Sequence, residues 1–338
     1  MTPLPTPLHA GDGRFQNPWP DGTLQRFPGL LRWQLDRLTK SLPSQPDPSV
    51  FRSATPAFPR PRANEARVVI TWVGHASFLV QIGGLNVVTD PIWSERASPV
   101  GFAGPRRWVP PGIPLEALPP IDAVLISHNH YDHLDDATVR QLATRAPDAR
   151  WMVPLGLAPF VRARGARAVL ELDWWQETRV DGLTIGCTPA QHFSARGFGD
   201  QNRTLWCGWA LVSVARRVYF AGDTGYHPAF GAIADRFGPF HAALLPIGAY
   251  EPRWFMRPVH MNPEEAVQAF ADLVAARPAG TGEGGGQLPV MVPMHWGTFK
   301  LTDEPMDEPP VRAARAWQAA GLAPTSLWVL AHGESRTL

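Results

Sequence analysis

The segment Ser127-His128-Asn129-His130-Tyr131-Asp132-His133 constrains this chain more than any other, because three imidazoles and a carboxylate fall within six residues directly after the apolar run Val124-Leu125-Ile126. Such a density points to metal binding. Neutral imidazole and carboxylate oxygen together suit zinc and its divalent neighbours better than calcium or magnesium. A strand ending near Ser127 passes into a turn whose side chains need not alternate strictly between two faces. His128 and His130 can then hold one ion while Asp132 and His133 turn to a second. A polar surface loop that gathers histidines by accident would account for one of them, not for the cluster.

Three later residues extend the set. His192 follows the predicted strand Leu183 to Thr188, Asp223 follows Val218-Tyr219-Phe220, and His295 follows Val290 to Met294. Taken singly, each reads equally as a hydrogen-bonded histidine or a turn aspartate. Their common place at a strand end sets them apart, because ends of several strands can converge at one edge of a sheet sandwich. The candidate ligands are therefore His128, His130, Asp132, His133, His192, Asp223 and His295.

With 338 residues, 44% hydrophobic and 18% charged, the chain can bury one large core or two modest ones. A net charge of +1 provides no global field toward nucleic acid or an anionic membrane, so nucleic acid is not an expected partner. Lys40 and Lys300 are the only lysines, and arginine abundance by itself argues for nothing. Cys187 and Cys207 are too few for a disulfide framework and too far apart for a structural zinc knuckle; buried thiols in a reducing compartment fit them. Residues 1–13 have neither the basic start nor the apolar core of a signal peptide, and no apolar run approaches the length of a bilayer span. The expected location is cytoplasmic, with a peripheral membrane contact compatible with it.

Two regions are expected, an amino-terminal extension over residues 1–66 and a main domain over 67–338. In the first, Phe27, Leu31, Leu35 and Leu38 fall at helical spacing, with Arg32, Arg37 and Lys40 on the polar side. That stripe is expected to pack on the main body, a membrane-surface role being the alternative. From Arg67 onward, strands are predicted at Val68 to Val73, Phe78 to Ile82, Val87 to Thr89 and Ala123 to Ile126, with a tight turn at Gly83-Gly84. Asp135 or Asp136 caps a helix running to about Thr144. Further on come a hairpin at Asp181-Gly182 and strands at Trp206 to Val214, Arg217 to Ala221, Ala242 to Pro246, Val290 to Met294 and Leu327 to Leu330. Helices are predicted from Asn262 and over Val311 to Ala320, Pro263 being suited to a first helical position. Strands in runs and then in alternation with helices imply sheets with helices outside them, and the strand-rich halves divide near residue 180. The Gly-x-Gly-x-x-Gly in Gly280 to Gly286 follows a helix and precedes a strand, the reverse of a dinucleotide site.

With its ligands in the order His-x-His-x-Asp-His, His, Asp, His, the chain resembles the metallo-β-lactamase-fold hydrolases. Within them it resembles the N-acylphosphatidylethanolamine-hydrolysing phospholipase D family. The resemblance is carried by residues 14–20, Trp72-Val73-Gly74-His75-Ala76-Ser77, Thr89-Asp90-Pro91-Ile92, residues 127–135, Tyr250-Glu251-Pro252-Arg253-Trp254-Phe255-Met256 and Met294-His295-Trp296-Gly297-Thr298-Phe299. It implies an α/β (α+β) fold, an αββα sandwich of two mixed sheets with helices outside and the metal site at one sheet edge. It also implies that His128, His130 and His192 bind one zinc, that Asp132, His133 and His295 bind the other, and that Asp223 bridges them. Manganese or iron would be accepted by the same donors. Two such ions about 3.5 to 4 Å apart activate water and stabilise charge on a phosphodiester. The implied substrate is an N-acylated phospholipid, cleaved to an N-acylethanolamine and phosphatidic acid.

Around the ligands, Asp90 reads either as acceptor for a ligand histidine's free N–H or as a strand-end turn before Pro91. His260 reads either as a donor to a leaving group, which would make it catalytic beside Asp132 and Asp223, or as packing before the helix. Arg106 and Arg107 are placed to grip a phosphate or to lie in solvent, solvent exposure being the reading that arginine abundance favours. Two other functions fit the same residues: a lactonase acting on a sugar-phosphate or other lactone, and a non-catalytic lipid- or protein-binding module retaining the fold.

Overall fold

The structure is a computed structural model that describes residues 4–19, 27–197, 199–275 and 288–338. Gly280 to Gly286 lies outside the described residues. A short ribbon, β1 (Leu8–His9) with β2 (Phe15–Gln16), precedes helix α1 (Phe27–Thr39).

The first sheet comprises β3 (Val69–Gly74), β4 (Ser77–Ile82), β5 (Leu85–Thr89), β6 (Ala123–Leu125), β7 (Arg150–Pro154) and β8 (Ala168–Leu172), with α2 (Asp136–Arg145) and α3 (Ala158–Arg162) between the later strands. The second sheet is built from β9 (Glu177–Val180), β10 (Leu183–Thr188), β11 (Gly208–Val212), β12 (Arg217–Phe220), β13 (Ala242–Pro246) and β14 (Val290–Met294). Helices α4 (Phe230–Phe237), α5 (Arg253–Met256), α6 (Pro263–Ala275) and α7 (Glu308–Ala319) accompany it, and β15 (Ser335–Thr337) returns to pair with β3. Both sheets are mixed. In the first, β3, β4 and β5 pair antiparallel and β5 through β8 parallel; in the second, β9 through β12 pair antiparallel and β12 through β14 parallel.

Alternation along the strands explains the layers. Ile70, Trp72, Phe78, Val80, Val87 and Leu125 share one cluster with Ile185, Trp209, Val218 and Phe220 from the second sheet. Their neighbours Val73, Leu79, Val88 and Val124 point the other way, onto Val139 and Leu142 of α2 and Val161 of α3. Phe270 and Leu273 of α6 and Trp317 of α7 pack on the second sheet. Asp135 caps α2, its side chain accepting from the Thr138 amide. The hairpin at Asp181-Gly182 joins β9 to β10 with positive φ at both residues, the geometry of a type I′ turn.

Three expectations are corrected. Leu327 to Leu330 is not a strand: Leu327 makes one isolated bridge to Met291, and the terminal strand is β15 instead. Helix α1 forms, but the leucine stripe does not pack. Leu31, Leu35 and Leu38 are exposed, at 51%, 54% and 83%, while Trp33 is buried against Phe255 and Met256. Trp33 also has a polar anchor that leucine lacks, since its Nε1–H donates to Asp303 Oδ2 at 2.6 Å. Finally, Arg107 does not lie in solvent: its guanidinium donates to the Ile92 and Ser94 carbonyls and packs over Phe299. Arg106 is exposed and paired with Glu95, and neither arginine lines the cavity described below. Cys187 and Cys207 are buried and unbridged, and no helix among the described residues is long and apolar enough to cross a membrane.

Candidate metal centre

The parallel alignment within each sheet brings the carboxyl ends of β3, β5, β6, β10, β12 and β14 to one edge. His75, Asp90, His128, His192, Asp223 and His295 follow those ends in turn. The approach is close enough to require glycine at one point. Gly222 has φ +60° and a Cβ there would fall 2.6 Å from Ser127 Cβ and 2.7 Å from the Cys207 carbonyl oxygen. Only a residue without Cβ lets the Asp223 turn pass so near Ser127. His75, Asp90 and His295 also hold positive φ, at 56°, 33° and 64°, a backbone strain of the kind that gathers at functional sites.

The loop of residues 128–134 is clamped from outside. Arg196 lies over the Tyr131 ring and donates to the carbonyls of Asn129 and Leu134, while the Tyr131 hydroxyl donates back to the Arg196 carbonyl. Inside, hydrogen bonds fix which nitrogen each histidine presents. His128 Nδ1 is 2.9 Å from Ser127 Oγ, whose own proton goes to Asp90 Oδ2. His133 Nδ1 donates to Asp90 Oδ2 at 2.6 Å, and His192 Nδ1 donates to the Val259 carbonyl at 2.9 Å. Each of these rings therefore turns Nε2 into the cluster.

Of the four groups of candidate donors among the described residues, one joins Asp90 to His128 and His133 and one joins His260 to His192 and Asp223, while the other two divide most of the predicted ligands between them. His128 Nε2 and His192 Nε2 lie 2.8 and 3.2 Å from His130 Nδ1, so three ring nitrogens face a common centre. The other group gathers His75, Asp132, His133 and His295. Asp223 lies between them: its Oδ2 is 3.0 Å from His295 Nε2, 3.2 Å from His133 Nε2 and 3.9 Å from His192 Nε2. All seven sequence-predicted ligands thus come together. Asp90 lies directly behind His133, combining the two alternatives read from the sequence: it is a hydrogen-bond acceptor and a turn residue before Pro91. His260 borders the same space, its Nδ1 3.9 Å from Asp223 Oδ2.

The donor set fits divalent cations. His133 Nε2, His295 Nε2 and Asp223 Oδ1 are buried without a hydrogen-bond partner among the described residues, although Asp223 and Asp132 oxygens are close. Such atoms are costly unless a ligand uses their lone pairs. Charge balance points the same way. Burial opposes charge on His133 and His295, yet the Asp223 and Asp132 carboxylates outweigh it, holding His133 well above the ordinary imidazole range and raising His295 to about 9. Burial together with the His192 ring lowers His130 to about 3, and burial lowers His192 to about 4 against the pull of Asp223. The centre calls for positive charge, and its neutral imidazoles are ready to ligate.

Over this centre opens a cavity of about 460 Å³. Its floor is His130, Asp132, Asp223 and His260; its walls are mostly apolar and include Leu30, Trp33, Phe193, Phe255, Met256 and Leu301. No lysine or arginine lines it among the described residues. His75 and the wall residue Phe193 are not among the candidate ligands read from the sequence, although His75 lies in one of the motifs that carry the resemblance. His75 directly follows the end of β3, as the other site residues follow the ends of their strands.

A two-sheet sandwich with histidines and aspartates gathered at one sheet edge is the arrangement of metal-dependent hydrolases. The chain belongs to the metallo-β-lactamase superfamily: the family model described as "Beta-lactamase superfamily domain" matches residues 85–296. An uncharacterized protein of Mycobacterium tuberculosis is 45% identical over 85% of this chain and 73% of its own length. The N-acyl-phosphatidylethanolamine-hydrolyzing phospholipase D 1 of Caenorhabditis elegans is 43% identical over 70% of this chain and 66% of its own, and the mitochondrial enzyme of that name from Saccharomyces cerevisiae is 35% identical over 71% and 49%. Among solved structures, the metallo hydrolase Igni18 from Ignicoccus hospitalis superposes with a TM-score of 0.58 at 24% identity, covering 80% of this chain and 98% of that one, a likeness of fold.

Proposed function

We propose that this hydrolase is a phosphodiesterase of the phospholipase D type, acting on an N-acylphosphatidylethanolamine with two zinc ions. The observation that carries the reading is the apolar cavity seated on a polar, cation-seeking floor. A diacylated phosphodiester has the same division, with long apolar chains and one anionic reacting centre. A sugar-phosphate lactone would need cationic groups away from the centre, and the cavity wall supplies none among the described residues. The names of the worm and yeast relatives agree with the lipid reading.

In this reading His128, His130 and His192 would hold one ion and Asp132, His133 and His295 the other, with Asp223 placed between the two groups. Bound there, the ions supply Lewis acidity toward the phosphate and a lowered proton affinity of water. The chain's own residues do the rest. Asp90, Ser127 and the Val259 carbonyl keep the ligating imidazoles in the required tautomers. Trp33, Phe193, Phe255 and Met256 exclude water from the acyl chains and orient the phosphate toward the floor. Hydrolysis breaks the bond between phosphorus and the ethanolamide oxygen; water provides the new phosphorus–oxygen bond and the proton of the released alcohol. Burial disfavours the charged form of His260, so its ring serves as a neutral N–H donor to the departing oxygen.

Purified protein assayed in parallel on an N-acylphosphatidylethanolamine and on a panel of lactones tests the proposal. It predicts release of N-acylethanolamine and phosphatidic acid. Lactone turnover without lipid cleavage contradicts it.

A further inference from the structure

His75 belongs to none of the seven predicted ligands, yet it is built into the second donor group with unusual care. The register of β3 against β4 shifts between Trp72 and Gly74, just before the residue, and such irregularities re-aim side chains. The backbone of His75 is then tied on three sides. Its N–H donates to Thr298 Oγ1 at 2.8 Å, and its carbonyl accepts from Trp72 Nε1–H at 3.0 Å and from the His295 amide at 3.1 Å. Thr298 Oγ1 is itself 3.0 Å from His332 Nε2. The side chain is 1% exposed, its ring 4.0 Å from that of His295 and edge-on to Phe299. All of this fixes one contact: His75 Nε2 lies 2.9 Å from Asp132 Oδ2.

That oxygen has other neighbours, His133 Nε2 and His295 Nε2, each at 3.4 Å. Two donors on one tetrahedral zinc with arms of 2.0 to 2.1 Å stand roughly 3.3 Å apart. The His133 and His295 spacings match that figure. His75 Nε2 sits at hydrogen-bonding distance from that carboxylate oxygen, while Asp132, Asp223, His133 and His295 already offer the four donors of a tetrahedral ion. A carboxylate oxygen has lone pairs enough to accept a proton donor and still ligate.

We propose that His75 is a positioning residue for the second ion, its Nε2–H holding Asp132 Oδ2 in place while that oxygen faces His133 and His295. The inference rests on the dinuclear reading of the centre. His75 contributes orientation and draws charge from the ligand oxygen, but it is not itself a ligand. Loss of the N–H therefore weakens the second site and spares the first.

Three variants separate the roles. Asn tolerates the left-handed backbone at residue 75 but is too short to reach Asp132, whereas Gln reaches about as far as Nε2 and carries an amide donor. Stepwise zinc affinities would be measured by chelator competition on wild type, His75→Ala, His75→Asn and His75→Gln, with circular dichroism confirming the fold. Expected is a second-ion affinity lowered roughly 10- to 100-fold in the Ala and Asn variants, an unchanged first ion, and recovery to within about threefold of wild type in the Gln variant. Unchanged second-ion affinity in the Ala and Asn variants overturns the proposal. So does a Gln variant as weak as the Ala variant, which would make the imidazole a ligand in its own right. Wild type that binds fewer than two ions is the failure of the dinuclear reading, visible before any variant is compared.

Discussion

His133 Nδ1 lies 2.6 Å from Asp90 Oδ2, with both side chains fully buried beneath the donor cluster. Asp90 also accepts the Ser127 amide at 2.6 Å and the Ser127 hydroxyl at 2.5 Å. One carboxylate thus holds the strand end of β6, the ring of His133 and, through Ser127, the ring of His128.

Asp90→Ala leaves those three donors without an acceptor. We expect a loss of about 3 kcal/mol in stability and a 10- to 100-fold loss in metal affinity. Denaturant titration and chelator competition read the two effects separately.

Asp223→Asn and His130→Ala should each remove about a thousandfold of the hydrolytic rate, because Asp223 lies between the two groups of donors and His130 belongs to the first. The circular dichroism spectrum should stay that of wild type. Full activity in either variant would overturn the ligand assignment.

Phe255 is a wall of the cavity and packs on Trp33. Phe255→Ala removes about 2 kcal/mol of apolar contact, so KM for a long-chain substrate should rise roughly 30-fold. A short, soluble phosphodiester should be affected less than about threefold, and comparing the two substrates under the same conditions checks this.

A pH effect follows from a histidine outside the metal ligands. His227 is buried between Trp19 and Phe230, accepts the Ala229 amide at its Nδ1, and is lowered by burial to about 3. Its folded pKa is below the unfolded value of about 6.5, so the unfolded chain binds the extra proton. Its contribution is complete above that value and is lost as pH falls from there toward 3, with a slope approaching about 1.4 kcal/mol per pH unit. His227→Phe should flatten this part of the stability profile, measured by urea denaturation between pH 4 and pH 7.

Much of this architecture is legible in the sequence because strand ends carry chemistry. The candidate ligands stand out by their place after apolar runs, and of the two capping candidates, Asp135 and Asp136, the cap is Asp135. The boundaries of β13 and β14 follow equally directly from short apolar runs, as at Ala242 to Pro246 and Val290 to Met294. Other elements send conflicting signals. The edge strand β8 is rich in Ala, Leu and Glu, which favour helix, and only pairing with β7 makes it extended. Helix α4 begins at Phe230 without a side-chain cap and contains Gly231, so no start signal marks it. At α1, leucine spacing pointed to a buried face, but the indole of Trp33 has both an apolar pocket and a hydrogen-bond acceptor and decides the orientation. Arg107 could not be read because its partners are backbone carbonyls supplied by the fold. The cavity walls were hidden for a similar reason: Leu30, Phe193 and Phe255 come from distant segments and meet only in three dimensions.

The most direct test of the central claim is the metal content of the protein purified without chelator, read by elemental analysis against chain concentration. The account predicts close to two ions per chain, with hydrolysis lost on chelation and restored on adding zinc. Fewer than one ion per chain, with hydrolysis undiminished by chelator, would contradict it.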